Sequence, residues 1–191
     1  MKPAVTLAII VILTGGFLMV QDLPSLPTTN TTHTTSAARY LLNEQDLRQL
    51  GMSGNCTTEE YQTSASSPLV QYSFCSYNIS SMAGTELVIE LKKFTNFEDL
   101  NGTYQYNSLH MFSAQGLISQ NTLGDQSRFR VNNENDYGGN LTPPGVYYYH
   151  LWITKSLHLI HVTSSGSNKD AGEHVTRAGQ MMLSKLEFKL A

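Results

Sequence analysis

Residues Ala4 to Val20 form an unbroken apolar run (AVTLAIIVILTGGFLMV) behind the single base Lys2, and no other feature of the chain constrains its fate as strongly. Such a segment is insoluble in water, so it directs the chain to a membrane and leaves the remainder exported or tethered outside. Its seventeen residues lie at the lower limit for spanning a bilayer and above the length of a typical signal-peptide core. Residues 1–20 therefore read as a signal peptide or membrane anchor. Small residues for cleavage occur only within the run, at Thr14-Gly15-Gly16, while Met19-Val20 at its end is bulky, which favours a retained anchor. No cysteine follows directly, which excludes a lipid-modified terminus. Lys2 on the short side favours a cytoplasmic N-terminus and an external C-terminus.

Residues 21–38 (QDLPSLPTTNTTHTTSAA) follow as a stalk. Rich in Thr, with two prolines and almost nothing to bury, the segment cannot offset the entropy of ordering. It reads as a linker, as an O-glycosylated spacer, or as a donor strand able to extend a neighbour's sheet.

Residues 39–191 are long enough for one domain with a substantial core. The chain has 15 acids and 12 bases, one of each lying before residue 39. Three stretches, between Glu60 and Glu86, Asp99 and Asp125, and Asp136 and Lys155, contain no charged residue. With no basic patch or strip, nucleic acid is excluded as a partner. Membrane association is expected through residues 4–20 instead.

Cys56 and Cys75 are the only two cysteines. In an exported chain such a pair, without a CxxC spacing, is expected to form a structural disulfide. Five N-x-S/T sequons, at Asn30, Asn55, Asn78, Asn101 and Asn140, are candidate glycosylation sites and agree with export.

Helical periodicity occurs three times. Asn43-x-x-Asp46 opens a short helix that Gly51 stops. Thr95-x-x-Glu98 opens a second, with Phe97, Leu100, Tyr104, Ser108 and Met111 on one stripe and Gly102 weakening it. Ser167-x-x-Asp170 opens the third, whose seam is Ala171, Val175, Ala178, Met182 and Leu186. Strands are expected at 69–79, 86–91, 127–131, 146–153 and 157–163, the last two as an antiparallel hairpin around Thr154-Lys155-Ser156. The Asn-, Gly- and Pro-rich segment 132–145 reads as a loop. The expected fold is α+β, an antiparallel sheet with helices packed on one face.

The succession of a strand at Glu86-Leu91, a helix, Leu123-Gly124-Asp125-Gln126-Ser127, a long hairpin and a final amphipathic helix resembles PsbP-like and LpqN-type extracytoplasmic domains. The resemblance covers residues 86–191. It implies a non-enzymatic accessory or binding domain on the outer side of a membrane, and carries over no functional residue.

Catalytic signatures are absent: there is no GxSxG, SxxK, phosphate loop or CxxCH. A turn at Lys155-Ser156 would set His150 opposite His161 and Trp152 opposite Leu159. Two cross-strand imidazoles suit Zn²⁺ or Cu²⁺ given a third ligand, or simply pack against Trp and Tyr. Glu134 and Asp136, beside Asn132 and Asn133, offer oxygen ligands for Ca²⁺ without the EF-hand order. No cofactor is implied. The expected function is a non-catalytic recognition or accessory domain, with Tyr148, His150, Trp152 and His161 as an open contact surface, or the 132–145 loop. Its partner would be another envelope or surface protein, or a second copy. The alternatives are a surface-filament or envelope subunit assembled through the Thr-rich segment, and a metal-binding protein using the hairpin histidines.

Overall fold

A computed structural model describes residues 40–54, 59–62, 67–110, 116–132 and 145–190. The apolar run, the stalk, Cys56, Asn30, Asn55, Asn140, Met111, Glu134, Asp136 and nearly all of the 132–145 loop lie outside those residues. Among the described residues no helix is long and apolar enough to cross a membrane.

The chain runs α1 (Glu44–Leu50), β1 (Glu59–Gln62), β2 (Leu69–Asn78), β3 (Glu86–Phe94), α2 (Phe97–Leu109), β4 (Leu117–Gln120), β5 (Gln126–Asn132), β6 (Tyr147–Lys155), β7 (His158–Gly166) and α3 (Ala171–Leu190). The strands form one sheet in the order β1-β2-β3-β7-β6-β5-β4, and every pair is antiparallel. This is the expected α+β architecture with two strands more than periodicity showed. Both, β1 and β4, are four-residue edge strands, too short for an alternating pattern to stand out.

The start signal acts as written in α1 alone; α3 begins at Ala171, past the expected Ser167-x-x-Asp170 opening, where the Asp170 N–H donates to Asn168 Oδ1 instead. The Asn43 side chain accepts from the Gln45 and Asp46 N–H groups while Asp46 accepts from the Asn43 N–H, a complete capping box, and Gly51 closes α1 at φ 68°. In α3, Ala171, Val175, Ala178, Met182 and Leu186 are all buried, as the seam requires. For α2 the cap is Asn96, whose side chain accepts from the Asp99 N–H, rather than Thr95 with Glu98. Of the expected stripe, Leu100, Tyr104 and Ser108 are buried, whereas Phe97 in the first turn is 65% exposed.

The layers are set by strand parity. Leu87, Ile89 and Leu91 of β3, Leu151 and Ile153 of β6, and Ile160 and Val162 of β7 face the large core shared with α1 and α3. The helix rides close to the sheet there, since a Cβ on Gly179 would come within 2.6 Å of Leu151 Cδ2. Lys185 Nζ ties α3 to α1 through Asp46 at 2.5 Å and the Leu41 carbonyl at 2.8 Å. Only these two helices share that face. Trp152 and Leu159 point the other way, into a second cluster with Phe94, Leu100 and Tyr104. Helix α2 therefore packs the opposite face, correcting the expectation that all helices lie on one side. β6 and β7 are central strands apolar on both parities, which demands cover on both faces.

Candidate functional site

The face that carries α2 holds the polar chemistry of the domain. β6 and β7 turn at Ser156 and Leu157, so Lys155 pairs with His158, Trp152 with His161 and His150 with Thr163. The expected pairs, His150 with His161 and Trp152 with Leu159, are each displaced by one step along the ladder. At the turn Ser156 takes a left-handed φ of 49°, and its N–H donates to the Asp125 carboxylate at 2.7 Å. Because the displacement is two residues, all these side chains keep the same face.

His150 and His161 become diagonal neighbours with ring centroids 5.4 Å apart. Both stack on Trp152, at 5.4 Å and 4.8 Å with nearly parallel rings, and Tyr148 extends the stack at 6.5 Å. Glu90, opposite His161 on β3, approaches His161 Nδ1 to 2.6 Å. A carboxylate only accepts, so that nitrogen carries the proton. The neighbours of Nε2 are the Thr163 hydroxyl at 2.9 Å and His150 Nδ1 at 3.2 Å. Thr163 Oγ1 also lies 3.3 Å from His150 Nδ1. Tyr72 donates to Glu90 Oε1 at 2.7 Å, and Lys92 Nζ stands 3.6 Å from the same oxygen.

Electrostatics follow from this enclosure. Burial pushes the Glu90 carboxyl up, but hydrogen bonding and charge from His161, with Lys92 and Tyr72, outweigh it and hold the group well below the usual carboxylate range. Burial pushes His150 down to about 3, aided by the His161 charge and opposed by Glu90. His158, the first residue of β7, falls to about 4 through burial and the Lys93 charge, against a hydrogen bond to the Lys155 backbone. The array links Tyr72, Glu90, His161, Thr163 and His150 by hydrogen bonds, with the buried Trp152 Nε1 left outside it. Both nitrogens of His161 are occupied, and among the described residues no three or more His, Cys, Asp or Glu side chains converge to hold a metal.

The proposed open contact surface takes a different form. Trp152 and His150 are each 2% exposed, while Tyr148 and His161 are partly exposed. Tyr148 and Trp152 do share a face, but α2 covers that face at Trp152, with Arg128 opposite it on β5. Arg128 stacks over the Tyr104 ring at 5.4 Å and donates to Ser108 Oγ. Arg130 donates to the Ser108 carbonyl at 3.0 Å. Two arginines thus pin the end of α2 to the sheet. Of the sequons, Asn78 and Asn101 are exposed, and Cys75, fully buried, is not a free thiol.

The same face opens into a cavity beside the start of α2. Its volume is about 630 Å³, and it is lined by Phe97, Glu98, Leu100, Asn101 and Gly102 of α2 and by Asp125, Gln126, Thr154 and Ser156 beneath them. Gln126 Nε2 reaches the Asn101 Oδ1 at 3.4 Å, and the Gln126 N–H donates to Thr154 Oγ1 at 3.1 Å. Sequence reasoning missed this cavity, together with Glu90, Thr163 and the two arginines. For Glu90 the signal was present, because Leu87, Ile89 and Leu91 alternate with Glu86, Val88, Glu90 and Lys92. For the cavity it was not, since its walls lie more than twenty residues apart.

No protein-family model matches the chain, and no curated protein sequence does. The fold is similar to the crystal structure of the extracellular domain of PknH from Mycobacterium tuberculosis, with a TM-score of 0.52 and 8% identity over 79% of this chain and 94% of that one. At that identity the likeness is one of fold.

Proposed function

We propose that this chain is a non-catalytic recognition domain, displayed outside the membrane by residues 1–20 and the 21–38 stalk, and that its ligand enters the cavity between α2 and β5-β6. The observation that carries the reading is the cavity: a concave space of the size ligand sites have, with an apolar wall at Phe97 and Leu100 and several polar side chains converging on it. The imidazole cluster lies among the central strands, with His150 and Trp152 almost wholly buried, and is not the ligand site in this reading. The similarity of fold to an extracellular domain supports the outer location. Protease shaving of intact cells that make the chain with a C-terminal tag tests the location; loss of the tag is expected, and a protected tag refutes it. An NMR fragment screen tests the site. Perturbations are expected at residues 97–102, 125–126 and 154–156, and clustering at His150 and His161 instead would refute it.

A second reading, self-assembly, is favoured by one feature. β4 ends the sheet and exposes Leu117 and Ile118, an edge that another strand can extend. Light scattering of the purified chain distinguishes a monomer from growing assemblies.

A further inference from the structure

Resting on that reading of the cavity, we infer that its ligand is a neutral carbohydrate, a short oligosaccharide or the sugar end of a larger glycan. The first argument is charge. The lining contains two carboxylates, Glu98 and Asp125, and no Lys, Arg or His, so anions are repelled. A cation is poorly served as well, because Asp125 is already engaged: Lys155 Nζ lies 3.6 Å from it and the Ser156 N–H donates to it at 2.7 Å. Lys155 is held in turn by Glu187 at 2.9 Å.

The second argument is hydrogen-bond inventory. Two carboxylates accept, the Asn101 and Gln126 amides donate and accept, and the Ser156 hydroxyl does both. Sugar hydroxyls likewise donate and accept, and adjacent ones present the paired geometry that planar amides and carboxylates match. The third argument is the apolar wall. Phe97 stands at the rim 65% exposed, and its ring offers an electron-rich face to the C–H surface of a pyranose. A ligand with polar edges and an apolar face meets all three conditions.

Gly102 adds an independent observation. It sits within α2, where glycine weakens a helix by roughly 0.5–1 kcal/mol relative to alanine. Its φ is not left-handed, and nothing lies within 4 Å of where its Cβ would be. No neighbour in the fold requires the glycine, but it keeps this wall of the cavity low.

The test is glycan-array binding by the intact, detergent-extracted chain, using short neutral oligosaccharides with spermidine and uronic-acid oligosaccharides as charged probes. Retention of at least one neutral oligosaccharide is expected, weakened roughly tenfold or more, or about 1.4 kcal/mol, in both Gly102→Phe and Phe97→Ala. Both positions are exposed, and circular dichroism verifies that the variants fold. Retention of charged probes alone, or of none, overturns the carbohydrate assignment; charged-probe binding that Gly102→Phe abolishes would still leave the cavity as a binding site. Neutral-glycan binding unchanged in folded Gly102→Phe overturns the cavity itself. An intact mass showing Asn101 glycosylated also overturns the inference, since that glycan would fill the same space.

Discussion

Acid should weaken this domain well above the pH at which its carboxylates titrate, and the cause should be His150 and His158. Both rings are buried, and burial is the leading reason their pKa values fall to about 3 and about 4. In the unfolded chain both return to about 6.5. Between these values the unfolded state binds more protons than the folded one, so stability rises with pH across the window and is lost as pH falls through it. From pH 7 to 4.5 each ring accounts for roughly 2–3 kcal/mol, and the pair for about 5, at 1.36 kcal/mol per unit. These two rings contribute a limiting slope of two protons, about 2.7 kcal/mol per pH unit, and His174, depressed by burial and the Arg177 charge, adds to it in the same direction. Glu90 is also depressed, but its contribution is lost only below about pH 4.5, where the unfolded carboxyl takes up its proton. The charged neighbours of His150 are His161 on β7 and Glu90 on β3, and those of His158 include Lys93. Urea unfolding at a series of pH values, followed through the single Trp152, measures the slope directly. Its emission should be blue-shifted in the folded state, because the ring is buried. His150→Gln keeps a polar side chain without a titrating ring, and should lower the slope by about one proton, roughly 1.4 kcal/mol per pH unit, whatever it does to stability at pH 7. A wild-type slope in that variant, or a flat profile in the parent, would refute the reasoning.

Three further outcomes are expected. Gly124→Ala should lower stability by about 2–4 kcal/mol, combining a left-handed φ of 59° with a Cβ only 2.4 Å from the Thr154 carbonyl oxygen; Gly102→Ala should raise it by about 0.5–1 kcal/mol, and paired thermal melts compare the two. Met182→Asp puts a carboxylate at a fully buried position in the α3 seam and should cost several kcal/mol, on the order of the penalty for an unpartnered buried polar group; a melting temperature equal to wild type would contradict the packing. Alkylation without reductant, read by mass spectrometry, should leave Cys56 and Cys75 unlabelled, and reduction should destabilise the domain by up to about 3 kcal/mol.

What could be read from the residues was whatever depends on near neighbours. The α3 seam, the Asn43 capping box, the Gly51 stop and the central strands all follow from side chains within a few positions of one another. The same locality explains the errors. Thr95 and Asn96 are both good caps, and the Asn96 side chain is the one that accepts from the Asp99 N–H. The hairpin turn is bonded to Asp125, thirty-one residues before Ser156. Local turn chemistry contains no trace of that bond.

The face of Trp152 shows how such errors propagate to function. β6 reads Tyr-Tyr-Tyr-His-Leu-Trp-Ile, apolar or aromatic on both parities, and two residues were asked to decide which side was buried. Neither side was open: Leu151 and Ile153 lie under α3, and Trp152 lies with Leu100 and Tyr104 of α2. A strand of this composition therefore signals a central position, and its aromatic residues are poor candidates for a binding surface. The better candidates lie where apolar exposure and missing bulk coincide, as at Phe97 and Gly102. Both belong to a helix whose own periodicity is weak, and that weakness marks the place where the chain departs from the pattern that packing alone would favour.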